Sequence, residues 1–328
     1  MIRFAVIGTN WITEKFVEAA HESGVMKLVA VYSRTFNKAQ VFADKYGVGT
    51  LFDSLDELAK SDKIDAVYIA SPNSFHAVQS QLFLNNKKHV ICEKPATSSL
   101  KEIERLIACA KENQVIYFEA FKTVYLPNFK LLKTELHQIG QLRKVLLSYC
   151  QYSSRYQRYL DGDNPNTFNP QFSNGSIMDI GFYCVASAVE LFGEPNKIIA
   201  SASLLASGVD AHGSVIMMYD GFDVVVQHSK VSDSRINSEI QGENGTFVIN
   251  KLSNADAIHL YMRAGIEGVF EDMTLEQHEN TMRYEAEAFV HCIENNEINH
   301  AGIERARITA KVLTEIRRQT GVVFPADN

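Results

Sequence analysis

The sequence predicts an α/β fold in two parts. Residues 1–120 read as a doubly wound parallel sheet, and residues 121–328 as an α+β domain with an open, mostly antiparallel sheet. Three observations carry this. Short apolar runs alternate with amphipathic ones through the first 120 residues, and that rhythm stops near residue 121. In the second part, Asp220-Gly221 and Asn244-Gly245 separate alternating runs, as hairpin turns do. In the first part, Ile2–Ile7, Leu28–Tyr32, Ala66–Ala70, His89–Cys92 and Val115–Phe118 are rich in Val, Ile and aromatic residues, like strands buried on both faces. Trp11–Glu22, Phe36–Tyr46, Phe75–Asn85 and Leu100–Glu112 carry helical periodicity between them. Strand–helix–strand units of this length specify a parallel sheet with right-handed crossovers. In the second part, Pro127–His137 reads as a helix closed by Gly140. Leu142–Ser153 reads as a strand, and Ser176–Phe192 as a helix stopped by Gly193 and Pro195. Lys197–Leu205, Gly213–Tyr219, Phe222–Lys230, Ser238–Gln241 and Thr246–Ile249 follow as strands. Helices near Leu275–Asn295 and Ile303–Thr320 close the chain.

Composition narrows the function classes. The 328 residues are 46% hydrophobic and 22% charged, which fits a globular chain with real cores and excludes a disordered or collagen-like one. A formal net charge of −7 without a basic block argues against nucleic-acid or anionic-membrane partners, whose phosphates need clustered Lys and Arg. No run of about 18 apolar residues marks a membrane span, and the N-terminus lacks a signal peptide's pattern. The five cysteines, Cys92, Cys109, Cys150, Cys184 and Cys292, are odd in number and widely spaced. They read as reduced thiols of a cytoplasmic protein. The histidines show no metal-ligand spacing, so no metal site is expected.

The first strand runs into Gly8-Thr9-Asn10-Trp11-Ile12 and then a helix. A glycine lets the backbone turn toward a pyrophosphate, and a helix N-terminus offers free N–H groups and partial positive charge. The three-glycine dinucleotide fingerprint keeps only its first glycine here; Asn10 stands at the second, where a left-handed conformation would serve the same turn. Trp11 reads equally as a packing residue or as a lid on the nucleotide. After the second strand, where NAD enzymes tend to carry a carboxylate for the ribose hydroxyl, the chain has Ser33 and Arg34, with Lys38 one helical turn on. An Arg–Ser pair suits a 2′-phosphate, so NADP is expected over NAD. Later strands end in Ser71-Pro72-Asn73-Ser74-Phe75-His76, in Glu93-Lys94-Pro95 and in Glu119-Ala120. Ligands of open α/β sheets bind at such carboxyl ends, so Ser71, Pro72, Asn73, His76, Glu93 and Lys94 are expected at the cofactor. Lys94 is an ammonium able to stabilise a developing alkoxide. In the second part, Asp179 and Tyr183 stand four residues apart on one helix face, polar within Ile177, Met178, Ile180, Phe182 and Val185. A tyrosine becomes a base near neutral pH only beside a cation, for which Lys94 is the candidate. Tyr183 reads equally as a core tyrosine with a satisfied hydroxyl.

Taken together, GTNWIT, SPNSFH, EKP, EAF at Glu119–Phe121 and MDIGFY at Met178–Tyr183, in this order, resemble the glucose-fructose oxidoreductase/inositol dehydrogenase (Gfo/Idh/MocA) family over essentially the whole chain. The resemblance implies a Rossmann domain, a C-terminal sheet that mediates dimers or tetramers, and hydride transfer at a carbinol carbon of a sugar, polyol or dihydrodiol. It implies that Lys94 contacts the reacting oxygen, Asp179 holds the substrate and Tyr183 is the acid/base. Two departures are Asn10 and Leu126, the latter where many relatives carry His. In Gln151–Tyr159, Arg155, Tyr156 and Arg158 read either as contacts to a polar or anionic substrate or as a charged surface loop; Arg155 is taken as the substrate contact. The alternative to an enzyme is a nucleotide-binding sensor that has lost chemistry, motivated by the incomplete glycine loop.

Overall fold

The computed structural model describes residues 1–263 and 268–327. By contact the chain divides into two compact units. One is Met1–Lys122 with His278–Arg307; the other is Thr123–Gln277 with the stretch from Ile308 onward.

In the first unit, β1 (Ile2–Ile7), α1 (Trp11–Ser23), β2 (Met26–Tyr32), α2 (Phe36–Asp44), β3 (Leu51–Phe52), α3 (Leu55–Lys60), β4 (Ala66–Ile69), α4 (Asn73–Asn85), β5 (His89–Glu93), α5 (Leu100–Asn113) and β6 (Tyr117–Ala120) follow in order. The strands form one parallel sheet, β3-β2-β1-β4-β5-β6. Strand order reverses between β1 and β4, which places their carboxyl ends at the point where such sheets bind ligands. Phe4, Ala5, Val6, Ala66, Val67, Tyr68 and Ile69 are fully buried, as strands covered on both faces must be. The sequence reading passed over β3 and α3, because two residues of strand and six of helix are too short to show a period.

The second unit begins with α6 (Pro127–Glu135), β7 (Leu142–Cys150), α7 (Tyr156–Leu160) and α8 (Phe182–Phe192). The strands β8 (Lys197–Leu204), β9 (Asp210–Tyr219), β10 (Phe222–Ser229), β11 (Ser238–Gly242), β12 (Gly245–Asn250), β13 (Ala257–Met262) and β14 (Val269–Asp272) follow. They form one sheet in the order β14-β13-β12-β11-β7-β10-β9-β8, antiparallel except where β7 meets β10. The hairpins at Asp220-Gly221 and Asn244-Gly245 form between β9 and β10 and between β11 and β12. The inward residues of β7, β10 and β12, among them Val145, Leu147, Val224, Val226, Phe247 and Ile249, are fully buried. The other face stays open, as the alternating pattern predicts. β13 and β14 are two strands more than the sequence reading found.

The last two helices are α9 (Arg283–Glu294) and α10 (Ala301–Thr320). The expected division assigned everything after residue 120 to one domain. Instead, α9 packs within the first unit: the Phe289 ring lies 5.6 Å from Phe118, and the His300 imidazole meets the Tyr117 carbonyl at 3.0 Å. Periodicity reveals that α9 has an apolar face but not which sheet covers it.

Residues 170–192 are long and apolar enough to span a bilayer by length and composition, with mean hydropathy 1.3, although no unbroken run of 18 apolar residues exists. Within the fold 72% of that window is buried, and the backbone turns left-handed at Ser173 (φ 52°). The stretch is a core helix with its lead-in.

Candidate functional site

The glycine turn of the first unit is held by backbone geometry. Gly8 has φ 104°, and a Cβ there would lie 2.6 Å from the Ala70 carbonyl oxygen, so only glycine fits where β1 passes the end of β4. Asn10 does not adopt the left-handed conformation that its position suggested. It is extended (φ −97°, ψ 176°) and caps α1, its Oδ1 accepting from the N–H groups of Ile12 (3.0 Å) and Thr13 (3.2 Å) while its Nδ2 donates to the Ala70 carbonyl (3.0 Å). The N–H groups of Thr9, Asn10 and Trp11 have no acceptor among the described residues. A turn of three unpaired donors at the start of a 13-residue helix fits a pyrophosphate. Trp11 is 67% exposed, which excludes a packing role within the chain.

At the end of β2, Arg34 and Lys38 are exposed and have no ion-pair partner among the described residues. The Ser33 hydroxyl accepts from the Thr35 N–H at 3.3 Å and keeps its own hydrogen to donate. Lys38 and Thr9 line one groove of about 430 Å³ with Glu14, Asn37, Val41, Phe42 and Lys45, so the glycine turn and Lys38 face common space. These groups fit a phosphorylated ribose.

The next two turns are tied together by His76. It is 1% exposed, with Nε2 2.8 Å from the Ser71 carbonyl and Nδ1 2.9 Å from the Pro95 carbonyl. Burial lowers its pKa, so the neutral ring donates to one of these carbonyls. His76 therefore ties the Ser71-Pro72-Asn73 turn to Lys94-Pro95, whose peptide bond is cis. Lys94 is half-buried. Its charge acts on His76, Glu93 and Glu119. Burial raises both carboxyls above the usual range; Glu93 accepts from the Tyr68 hydroxyl and Glu119 from the Ala96 N–H at 3.0 Å. The sequence reading missed Tyr68 and the buried Glu285 of α9. Glu285 is 1% exposed with both oxygens unpartnered among the described residues, and burial holds it well above the carboxylate range.

In the second unit, a π-helical turn, Ile177–Gly181, leads into α8. From Gly175 to Val189 every residue is buried except Asp179 and Tyr183, so the polar stripe expected on this helix is present. The Tyr183 ring packs 5.6 Å from Tyr149 of β7. A cleft of about 670 Å³ opens at that end of the sheet, lined by Tyr149, Gln151, Arg235, Asn237, Asn250 and Asn254 among others. Its amides and hydroxyls suit a ligand rich in hydroxyl groups.

In the Gln151–Tyr159 segment, ring packing and a surface ion pair place the side chains. Tyr156 and Tyr159 pack on Phe168 at 5.6 and 5.4 Å, Arg158 pairs with Asp163 at the surface, and Arg155 is exposed without a partner among the described residues. The surface-loop alternative describes Arg158.

Behind Asp179 lies a network that the sequence reading missed. Lys230, at the end of β10, donates to the Asp179 carboxylate. The Asp210 carboxylate of β9 accepts from the Ile177 N–H at 2.6 Å, and His228 Nδ1 meets the Ser176 hydroxyl at 2.9 Å. Burial raises the Asp210 carboxyl to about 6 and lowers His228 to about 3, so His228 is neutral. One signal was available: alternation along β10 points Val224, Val226, His228 and Lys230 inward, and the last two are polar where the others are not. Among the described residues no group of His, Cys, Asp and Glu is arranged to hold a metal.

Comparison with known proteins agrees with this geometry. Residues 2–121 match the profile of the oxidoreductase family with an NAD-binding Rossmann fold, and residues 135–248 match the GFO/IDH/MocA C-terminal domain. The chain is 63% identical over 328 residues to the oxidoreductase YgjR of Escherichia coli (strain K12), covering 100% of this chain and 99% of that one. It is 48% identical to the scyllo-inositol 2-dehydrogenase (NADP(+)) IolU of Bacillus subtilis (strain 168), with the same coverage. Among solved structures, the 3-ketoreductase KijD10 from Actinomadura kijaniata in complex with NADP and TDP-benzene superposes with a TM-score of 0.85. The two share 22% identity, and the match covers 97% of this chain and 98% of that chain. The likeness extends from the glycine turn through the second sheet, and the chain belongs to the Gfo/Idh/MocA family of oxidoreductases.

Proposed function

We infer that the protein transfers hydride between NADP(H) and a hydroxyl-bearing carbon of a sugar, polyol or dihydrodiol-like small molecule. The observation that carries this is the pairing of a nucleotide turn ending in unpaired Arg34 and Lys38 with a single polar edge, Asp179 and Tyr183, on a buried helix. NADP+, when bound, accepts the hydride that leaves the carbinol carbon. Gly8, Thr9, Asn10, Trp11 and Ile12 hold the pyrophosphate; Ser33, Arg34 and Lys38 hold the 2′-phosphate; the Ser71-Pro72-Asn73 turn and Glu93 flank the nicotinamide end. Tyr183 takes the hydroxyl proton during oxidation and returns it during reduction. The Lys94 ammonium stabilises the developing alkoxide. Asp179 accepts a hydrogen bond from a substrate hydroxyl and fixes the carbon to be oxidised. Arg155 and the amide-lined cleft beside Tyr149 bind the remainder of the substrate. The names of the similar enzymes, an inositol dehydrogenase and several trans-dihydrodiol dehydrogenases, support this substrate class.

The sensor alternative was motivated by the missing second glycine. An extended, capping Asn10 that leaves three N–H donors unpaired removes that motive. The test is turnover: purified protein with NADP+ and a panel of inositols, aldoses and trans-dihydrodiols should develop the reduced-nicotinamide absorbance band. Measurable NADPH binding without turnover of any panel member would restore the sensor.

A homo-oligomer, dimer or tetramer, through the open sheet face belongs to the same reading. Register aligns Ile199, Ile216, Val225 and Leu146 across β8, β9, β10 and β7 on that face, an apolar row four strands wide. Replacing Ile216 with Lys should shift sedimentation toward the monomer. A cytoplasmic location fits five free cysteines, four of them buried.

A further inference from the structure

We propose that Lys230 is a positioning residue for the reaction: it holds the Asp179 carboxylate ionised and aimed, within a rigid cluster formed by Asp210, His228 and Ser176. The proposal rests on the reading of Asp179 as a substrate-binding group.

Lys230 is placed from three sides. Its N–H donates to the Ala211 carbonyl at 2.9 Å, its carbonyl accepts from the Ser153 N–H at 2.8 Å, and its ammonium reaches Asp179. The side chain is 8% exposed, whereas that of Asp179 is 33% exposed. The ammonium has three donors, and Asp179 is its one acceptor among the described residues. A buried ammonium with one hydrogen-bond acceptor constrains that acceptor strongly, because separating the pair leaves the charge without its acceptor inside the fold.

The backbone that carries Asp179 is fixed as tightly. Asp210 and His228 anchor the residues just before it, through the Ile177 N–H and the Ser176 hydroxyl. Three glycines leave room for this cluster. A Cβ on Gly175 would lie 2.3 Å from Asp210 Oδ1, one on Gly213 would lie 2.8 Å from His228 Nε2, and one on Gly181 would lie 3.1 Å from the His228 ring. Among the described residues, Lys230 acts on the Asp210 anchor, and His212 from β9 acts on His228 from β10. His228 stays neutral, so Lys230 is the inward-facing cation of β10. Without it, the carboxylate loses a buried counter-charge, so it takes up a proton at higher pH and gains rotational freedom.

The experiment compares Lys230→Met, Lys230→Gln, Lys230→Arg and Asp179→Asn by two readouts. The first is the pH titration of the Asp179 carboxyl carbon in protein labelled at aspartate, assigned by its loss in Asp179→Asn. The second is kcat and KM against pH with NADP+ and whichever panel substrate the protein turns over. Lys230→Met should raise the Asp179 titration by about one unit or more and lower kcat by about tenfold or more, with a smaller change in KM. Lys230→Arg should restore most of both. Lys230→Gln gives the same reading with a neutral side chain that keeps a donor, should the methionine variant fail to fold. An unmoved Asp179 titration in Lys230→Met or Lys230→Gln overturns the proposal, as does wild-type kcat with a shifted titration. Wild-type turnover by Asp179→Asn overturns the underlying reading of the site instead.

Discussion

The two regions that carry the proposed chemistry are held by different physics. The glycine turn of the first unit is shaped by backbone: Gly8 squeezed against the Ala70 carbonyl, Asn10 capping a helix, three N–H groups left open. Its charged side chains, Arg34 and Lys38, stand in solvent without partners among the described residues. The Asp179–Tyr183 edge of the second unit is shaped by side chains. Its carboxylate is fixed by a buried ammonium, and its backbone is anchored by a buried carboxyl and a neutral imidazole. Substitutions of the exposed charges in the first region should therefore alter ligand affinity and leave stability alone, whereas those in the second region should couple chemistry to stability and pH.

The largest expected effect tests whether both regions serve one reaction. Lys94→Ala and Tyr183→Phe should each lower kcat by roughly 10²–10⁴-fold, with NADPH affinity changed less than about threefold. Stopped-flow turnover and fluorescence titration of NADPH measure the two quantities, and retained turnover in either variant would break the pairing.

The second sharpens the contrast in stability. Burial raises the Asp210 carboxyl from its ordinary 3.8 to about 6 in the folded protein, so it stabilises the fold below pH 4 and that contribution is lost as pH rises through 6. The loss is about 3 kcal/mol at about 1.4 kcal/mol per unit. His228 runs the other way. Its pKa falls from 6.5 to about 3, so its contribution is present above pH 6.5 and lost as pH falls toward 3. Between pH 4 and 6 the two slopes oppose each other. Asp210→Asn should unmask the histidine slope, and its stability relative to wild type should rise by about 3 kcal/mol from pH 4 to pH 6 in denaturant titrations. A pH-independent difference between variant and wild type would show that Asp210 is ionised throughout.

In the first region, Arg34→Ala should weaken NADPH binding by about 10–100-fold and NADH binding less than about twofold, with an unchanged unfolding midpoint. Equal losses for the two nucleotides would remove the 2′-phosphate assignment. The smallest effect is at the cap: Asn10→Ala should cost about 1 kcal/mol of stability by freeing the Ile12 and Thr13 N–H groups. Calorimetry showing no change would mean that the cap contributes nothing net.

The uneven legibility of the sequence follows the same division. Strand ends in a parallel sheet converge wherever such a sheet forms, so Gly8, Arg34, Asn73 and Lys94 were placed by counting strands alone. Asp179 and Tyr183 stood out as polar positions on one face of an apolar helix, and they are the two not buried between Gly175 and Val189. Arg155 and Arg158 were singled out for charge and sequence position, which do not reveal partners: Arg158 pairs with Asp163, and both are exposed. Lys230, Asp210 and His228 escaped notice because they reach their partners from 51, 33 and 52 residues away. Their meeting depends on how β9 and β10 pair and where α8 lies on them.

By itself the sequence determined the period of each long element, the order of the parallel units, the glycine turn and the residue types at strand ends, because these are local or follow from the handedness of strand–helix–strand crossovers. Only the tertiary structure decided that α9 returns to the first sheet, that Asn10 caps rather than turns, and that Asp179 has a buried lysine behind it. Each of these is a choice among surfaces or partners distant along the chain, and it is settled by packing and desolvation once the sheets have formed.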